Sequence, residues 1–284
     1  MTKPTTREGY SPAQADLVRA TCLYVATFLG DLRDDLVVVG GLVPSLLVDP
    51  GDLPEGVDAH VGTLDLDVGL TIALLDEGRY RELTERLRSA GFEPDTNTEG
   101  KPTRQRWRFA GSAEVTIDFL IPPSHEGDRG GTIRHIERDF AAVIAPGLDA
   151  AFQDRLLVRL EGRTLLGEKA SREVWVCGPG AFVVLKAIAF ELRGENKDAY
   201  DLFYVVQNIE GGPAAIAARL RSLMELPEAQ RAVVILERDF GELDALGPRR
   251  VARFLFGGPD DELQAEVVAF VGELLDAVGA GAAG

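Results

Sequence analysis

The sequence has few of the residues that build disulfides or sulfur- and imidazole-based metal sites. Of 284 residues, two are cysteines, Cys22 and Cys177, and three are histidines, and neither type shows metal-ligand spacing. Metal-binding cysteines recur at short, regular spacings, whereas these two lie far apart in the chain. The pattern therefore predicts two reduced, buried thiols in a cytoplasmic protein.

The sequence also lacks long apolar runs and an excess of positive charge. No stretch of about 18 uninterrupted apolar residues occurs, which excludes a membrane span, and the first 15 residues are polar, unlike a signal peptide. Thirty Lys and Arg residues stand against 46 Asp and Glu, for a net charge of −16. This balance argues against a protein that coats nucleic acid through a diffuse basic surface, although it permits a local basic pocket.

The periodic segments that are present predict an α/β fold, with a mixed sheet and helices in residues 1–177 and a helical C-terminal region in residues 178–284. The predicted strands are residues 36–39, 63–70, 103–109, 114–121, 156–160 and 173–176. The predicted helices are residues 11–32, 76–90, 179–193, 197–209, 213–224 and 260–278. The stretch 122–151, with its proline and glycine pairs, is interpreted as loop-rich.

The strongest chemical signal is a glycine turn followed by two carboxylates on a strand. Gly40-Gly41 ends an apolar run, and Asp65 and Asp67 alternate with apolar residues, so that both carboxylates point to one face. Two adjacent like charges repel and are stable mainly beside a cation. Magnesium bound to nucleotide phosphates fits such a site, and a glycine turn lets the backbone approach phosphate closely. The pattern therefore indicates phosphoryl or nucleotidyl chemistry.

A third carboxylate, Asp118, lies in the second strand of a predicted hairpin. Of two possible registers, the one that keeps polar and apolar faces unmixed places Arg104, Arg106 and Arg108 on the face of Asp118. Alone, Asp118 is explained by a salt bridge to Arg104 or Arg106. With Asp65 and Asp67, a three-carboxylate site on adjacent strands becomes the better interpretation. The arginine row is either a solvated edge or, at Arg104 and Arg106, a phosphate contact.

The helical region adds a lysine and two further acids. Lys186 lies on a helix whose neighbouring residues are apolar all round, which predicts burial beside a carboxylate partner. Asp198 and Asp201 lie three residues apart on one face of the next helix. Asp198 could equally be a helix-start residue favoured by the macrodipole. His60, just before the Asp-x-Asp strand, is a candidate to line the carboxylate site.

These motifs together resemble a known superfamily. Gly40-Gly41, the run Thr63-x-Asp65-x-Asp67 and the later Asp118 look like the nucleotidyltransferase fold of the DNA polymerase β superfamily. Lys186 in its apolar helix, followed by the Lys-Asp-x-x-Asp-Leu run at residues 197–202, is similar to the AbiEii nucleotidyltransferase toxin family. The resemblance covers residues 36–209.

The resemblance implies a transferase that moves a nucleotide from a nucleoside triphosphate to an acceptor such as tRNA, with Mg²⁺, as the toxin of a toxin–antitoxin pair. Its implied site residues divide into three groups. Magnesium ligands are Asp65, Asp67 and Asp118, the last also a candidate base. Lys186 would contact the triphosphate, and Asp198 or Asp201 would orient the acceptor or Lys186. Gly40 and Gly41 would shape the phosphate-binding turn, and Thr63 is assigned to substrate binding with them. Arg104 and Arg106 are also assigned to substrate binding, on the ground of the arginine row and not of the resemblance.

Two departures from the family pattern leave other functions open. Leu42 follows the glycine pair where a small hydroxyl residue is common, and residues 49–58 form an acidic loop that is either a lid or an insertion. The alternatives are a nucleotidyltransferase that modifies a small molecule, such as an aminoglycoside-like antibiotic, and a degenerate, non-catalytic binding partner. Retention of mutually repelling carboxylates argues against the degenerate form.

Overall fold

The computed structural model describes residues 3–71, 77–97 and 99–280. Its contacts divide the chain into two compact units. The sheet unit comprises residues 12–42 and 62–177, and the helical unit comprises residues 1–11, 43–61 and 178–284. The predicted division at residue 178 differs from this one, because residues 1–11 and 43–61 join the helical unit.

The sheet unit is built on a mixed sheet, which has nine strands in the described part of the chain. The strands are β1 (Leu36–Val39), β2 (Asp65–Leu70), β3 (Phe92–Thr96), β4 (Pro102–Phe109), β5 (Ser112–Ile121), β6 (Ile133–Glu137), β7 (Phe140–Ile144), β8 (Arg155–Arg163) and β9 (Lys169–Cys177). Their order is β3-β4-β5-β2-β1-β9-β8, and β7 pairs with both β5 and β6. Strands β2 and β5 are central and parallel, and β1 is antiparallel to β2.

Ten α-helices occur in the described residues. Those of the sheet unit are α1 (Pro12–Leu29), α3 (Glu77–Ser89) and α4 (Leu148–Gln153). Those of the helical unit are α2 (Pro44–Leu47), α5 (Pro179–Arg193), α6 (Asn196–Asn208), α7 (Gly212–Ser222), α8 (Pro227–Phe240), α9 (Leu246–Phe256) and α10 (Asp261–Ala280). None of the helices in these described ranges is both long and apolar enough to span a bilayer.

The α/β class and most of the elements agree with the sequence-based prediction, to within a few residues at their ends. The interpretation of residues 122–151 as loop-rich is wrong, because β6, β7 and α4 lie there. Strand β7 is short and almost wholly buried, and it pairs in parallel with the end of β5 through Leu120 and Ile121. A short apolar run between glycines and prolines carries no periodicity that marks it as a strand. Strand β3 was also not predicted, and the predicted helix start at Asp76 lies outside the described residues.

Each unit has an aromatic core of its own. In the sheet unit, Phe140 packs against Trp107, Phe119 and Tyr80, all of them fully buried. In the helical unit, the buried residues Val48, Tyr200, Tyr204 and Phe254 form a cluster that also receives Leu53 and Val61. The acidic loop 49–58 is therefore anchored by apolar residues that pack on this cluster.

Candidate functional site

The parallel pairing of β2 and β5 brings the three predicted carboxylates together. Asp67 lies opposite Asp118, and Asp65 lies opposite Thr116, two residues away on the same face. One oxygen from each of Asp65, Asp67 and Asp118 lies within 4.8 Å of the other two. Asp65 is buried, while Asp67 and Asp118 are partly open to solvent. The predicted convergence on adjacent strands is confirmed, and we call these three residues the carboxylate cluster.

The glycine turn lies directly against the carboxylate cluster. Gly40 has φ of +74°, and a Cβ added there would stand 2.0 Å from Oδ2 of Asp67. A Cβ on Gly41 would stand 2.7 Å from Oγ1 of Thr63, whose hydroxyl donates to Oδ1 of Asp65 at 3.0 Å. Only glycine permits both the backbone conformation at Gly40 and this close approach. The turn and the carboxylates therefore form one site, with Thr63 holding Asp65 in place.

The hairpin of β4 and β5 supplies a guanidinium to the cluster. Arg106 lies opposite Asp118 and binds it with two hydrogen bonds, Nε to Oδ1 at 2.7 Å and Nη2 to Oδ2 at 2.5 Å. Its Nη2 also lies 3.9 Å from Oδ2 of Asp65. The hydrogen bonds to Asp118 raise the pKa of Arg106 against the opposing effect of burial. The predicted shared face of Arg106 and Asp118 is confirmed, and so is the salt bridge that was the simpler explanation of Asp118.

The two other arginines of the row do not contact the cluster in the same way. Arg108 binds Glu93 on β3 at 2.8 Å and lies 3.9 Å from Asp95. Arg104 makes no ion pair within the described ranges, and its backbone carbonyl accepts a hydrogen bond from the Trp107 indole at 3.1 Å. The proposed phosphate contact of Arg104 therefore stays a prediction.

The donor set fits a magnesium ion. Mg²⁺ takes oxygen ligands at about 2.1 Å, so two ligand oxygens on one ion lie about 3–4 Å apart. One oxygen from each residue of the carboxylate cluster lies within 4.8 Å of the other two, which is close to that spacing. Three carboxylates and one guanidinium leave a formal charge of −2, which a divalent cation would neutralise. A carboxylate has about four lone-pair sites, so Asp118 can keep Arg106 while it binds a metal.

The helical unit places the other predicted residues in a second, buried cluster. Nζ of Lys186 donates to Oδ1 of Asp198 at 2.9 Å and to Oδ2 of Asp201 at 2.7 Å. Lys197 also donates to Asp201, and Arg193 binds Asp198 through Nε at 2.6 Å and Nη2 at 2.7 Å. Asp198 and Asp201 are 1% and 0% exposed, and Lys186 is 5% exposed. The predicted carboxylate partner of Lys186 is confirmed, and we call these residues with His60 the ion network.

Burial and pairing compete in the ion network. Burial alone would lower the pKa of Lys186, but Asp201 and Asp198 raise it above the ordinary value. Burial likewise opposes ionisation of Asp198, yet Lys186 and Arg193 lower its pKa to about 2. The pKa of Asp201 also lies well below its ordinary value, because Lys186 and Lys197 outweigh the opposing effect of burial. Lys186 and the two buried aspartates are therefore charged near neutral pH, whereas burial lowers the pKa of Lys197.

His60 belongs to this network, which sequence reasoning did not foresee. Its side chain is fully buried, and its Nε2 lies 2.8 Å from Oδ1 of Asp201. Its ring stacks on Tyr200 at 5.2 Å and meets the edge of Tyr204 at 4.9 Å. Burial and then Lys197 lower its pKa to about 4, so the imidazole is neutral at pH 7. The partners that fix the position of His60 are Asp201, Tyr200 and Tyr204. All three lie far from His60 in the sequence, so the residues next to it in the chain give no signal of this contact.

No protein-family model matches the chain, and no curated protein matches its sequence.

Proposed function

We propose that this protein is a magnesium-dependent nucleotidyltransferase. The observation that carries the proposal is the carboxylate cluster on adjacent parallel strands, with the Gly40-Gly41 turn against it. Asp65, Asp67 and Asp118 would hold the ion, and the turn offers backbone to a triphosphate. Bound magnesium would neutralise charge on the phosphates during transfer.

In the proposed reaction an acceptor hydroxyl attacks the α-phosphorus of a nucleoside triphosphate. The new bond joins the acceptor oxygen to that phosphorus, the bond between the α-phosphorus and the bridging oxygen breaks, and pyrophosphate leaves with the electron pair. The hydroxyl proton passes to a carboxylate, for which Asp118 is the candidate because it is partly open to solvent. Arg106 would hold Asp118 in orientation through its two hydrogen bonds.

The residues of the ion network are proposed to act by positioning. Lys186 has its ammonium committed to two aspartates and is nearly inaccessible. A role as a triphosphate contact, which the family resemblance implies, requires that one of these bonds be exchanged. We retain that role as a prediction, and we propose for Asp198 and Asp201 the orientation of Lys186.

For the acceptor we propose tRNA, and for the biological role the toxin of a toxin–antitoxin pair in the cytoplasm. Both rest on the resemblance of residues 36–209 to the AbiEii family. A cognate antitoxin protein would then be a partner of the chain.

One observation favours a small cationic acceptor as the second candidate. Asp49, Asp52, Glu55 and Asp58 in the acidic loop are all exposed, and the whole chain has a net charge of −16. Such a surface attracts cations such as aminoglycoside-like antibiotics and repels RNA.

A transfer assay tests the proposal. Purified protein is incubated with Mg²⁺, each labelled nucleoside triphosphate in turn, and either total tRNA or an aminoglycoside. Label on RNA that is lost with EDTA and in Asp67→Asn supports tRNA as the acceptor and identifies the base. Label on the aminoglycoside alone supports the second candidate. Absence of transfer to either acceptor, with no Mg²⁺-dependent triphosphate binding, would favour the degenerate partner. Circular dichroism of Asp67→Asn confirms that the variant is folded.

A further inference from the structure

A cavity of about 360 Å³ lies beside α9 in the helical unit. Its lining consists of Leu246, Arg249, Arg250 and Arg253 from the helix, with Gly257–Pro259 from the loop that follows it. The helical period of 3.6 residues places the three arginines on one stripe. We call this region the arginine pocket.

The charges of the arginine pocket are not compensated by acids. Among the described residues, no carboxylate lies within 4.0 Å of any of the three guanidinium groups, although the chain has 46 acidic residues. By contrast, Arg231 and Arg238 of the same unit are paired with Glu191, at 2.6 Å and 3.2 Å. The helix dipole favours Arg253 in the last turn of α9, but it disfavours cations such as Arg249 near the helix start. Neither pairing nor the dipole therefore explains this cluster.

One arginine is held in place, and an exposed aromatic residue follows the others on the same face of the helix. Nη1 of Arg250 donates to Oδ1 of Asn196 at 3.1 Å, and the buried Asn196 donates through Nδ2 to the carbonyl of Thr5 at 2.8 Å. Phe256 follows Arg253 by three residues on α9 and is 62% exposed. A fixed guanidinium, two further ones and an exposed ring match phosphate groups and the flat face of a base.

We propose that the arginine pocket is a binding site for the phosphate groups of a nucleotide or of an RNA strand, with Phe256 as a stacking surface for the base. The arginines supply forked donors to phosphate oxygens. The site lies on the helical unit and does not depend on the proposed transfer reaction.

Fluorescence anisotropy with EDTA present tests this proposal, since EDTA removes any metal-dependent binding at the carboxylate cluster. The probe is a short, labelled single-stranded RNA, and inorganic pyrophosphate is the competitor. The pocket variant is Arg249→Gln with Arg253→Gln. The matched control, Arg221→Gln with Arg231→Gln, removes the same charge from the same unit outside the cavity.

We expect the pocket variant to bind RNA at least about tenfold more weakly than the control. The slope of the logarithm of the RNA-binding constant against the logarithm of the salt concentration should become shallower by about 0.7 for each phosphate group that is no longer bound.

If Phe256→Ala weakens RNA binding but not pyrophosphate binding, the ligand is a strand or nucleotide that stacks its base. If pyrophosphate competes fully and Phe256→Ala has no effect, the site takes phosphate groups alone, and the stacking role is overturned. Equal weakening in the pocket variant and the control, or no binding of either ligand by the unchanged protein, would overturn the whole proposal. A transfer assay on the same samples reports separately on the proposed function.

Discussion

The carboxylate cluster and the ion network use the same kinds of side chain in opposite ways. In the sheet unit, three carboxylates face one guanidinium, and two of them are partly open to solvent. In the helical unit, Asp198 and Asp201 meet Lys186 and Lys197 with all four nearly inaccessible. Buried charges must be paired, because an uncompensated one costs several kcal/mol. The closed ion network pairs its buried carboxylates with cations of the protein itself. The open carboxylate cluster keeps an excess of negative charge, which suits it to bind a cation.

The largest effect on stability is expected from replacing Lys186 of the ion network. Lys186→Met removes the cation that Asp198 and Asp201 share. Arg193 and Lys197 stay beside the aspartates, so we expect the free energy of unfolding to fall by about 3 kcal/mol, the lower end for breaking a buried ion pair. Urea denaturation measures the change. The matched control Arg231→Met removes a half-exposed partner of Glu191 and should cost less than about 1 kcal/mol. A similar small loss for both variants would contradict a stabilising ion network.

The dependence of stability on pH distinguishes the ion network from the carboxylate cluster, because only the ion network contains His60. The folded-state pKa of about 4 lies below the ordinary 6.5, so the unfolded chain binds the proton first as the pH falls. Stability is fully present above pH 6.5 and declines down to pH 4, by about 3 kcal/mol in total. The losses from Asp198 begin only below its ordinary pKa of 3.8.

His60→Gln should flatten this decline between pH 6.5 and 4, as measured by urea denaturation at several pH values. The control His135→Gln changes an exposed histidine of the sheet unit and should leave the profile of the unchanged protein intact. If the free energy of unfolding depends on pH in the same way in all three proteins, His60 does not cause the loss of stability between pH 6.5 and 4.

The carboxylate cluster is tested at its turn by Gly40→Ala. The positive φ alone costs about 1–2 kcal/mol for any residue with a Cβ. Gly167→Ala is the control, since Gly167 has φ of +77° and nothing within 4 Å of an added Cβ. Because the Gly40 methyl also collides with the Asp67 carboxylate, Gly40→Ala should lose more stability than the control and should bind Mg²⁺ more weakly. Calorimetric unfolding and Mg²⁺ titration check both effects, and equal results for the two variants would remove the turn from the site.

The smallest expected effect is a gain in stability, not a loss. Asp67→Asn removes one of the mutually repelling charges, so we expect stability without metal to rise by about 0.2–1 kcal/mol. Added Mg²⁺ should raise the Tm of the unchanged protein but not that of the variant, because only a folded binding site gains from the ion. Asp16→Asn, at an exposed residue of the same unit, should behave like the unchanged protein. A destabilised Asp67→Asn would indicate that the cluster is structural.

Features that depend on neighbouring residues in the chain could be predicted from the sequence, whereas contacts between distant residues could not. Asp65, Asp67 and Asp118 could be grouped because strand alternation fixes the face of each side chain, and the polar and apolar pattern of the hairpin fixed the side on which Arg106 lies. The burial of Lys186 followed from its apolar neighbours. His60 could not be placed in the network, because its partner Asp201 lies 141 residues further along the chain. Strand β7 escaped because a buried strand flanked by turn residues has no alternation to detect.

The assignment of residues 43–61 to the helical unit has a consequence for biosynthesis. This segment is translated well before residues 178–284, yet it supplies His60 and Val48 to clusters completed by α6 and α9. The segment therefore emerges from the ribosome before its apolar and ionisable groups can form their native contacts, because more than a hundred further residues must first be added. During that interval the segment is a target for chaperones and proteases. Truncation after residue 177, however well the sheet folds, leaves His60 without Asp201 and the tyrosine pair that covers it.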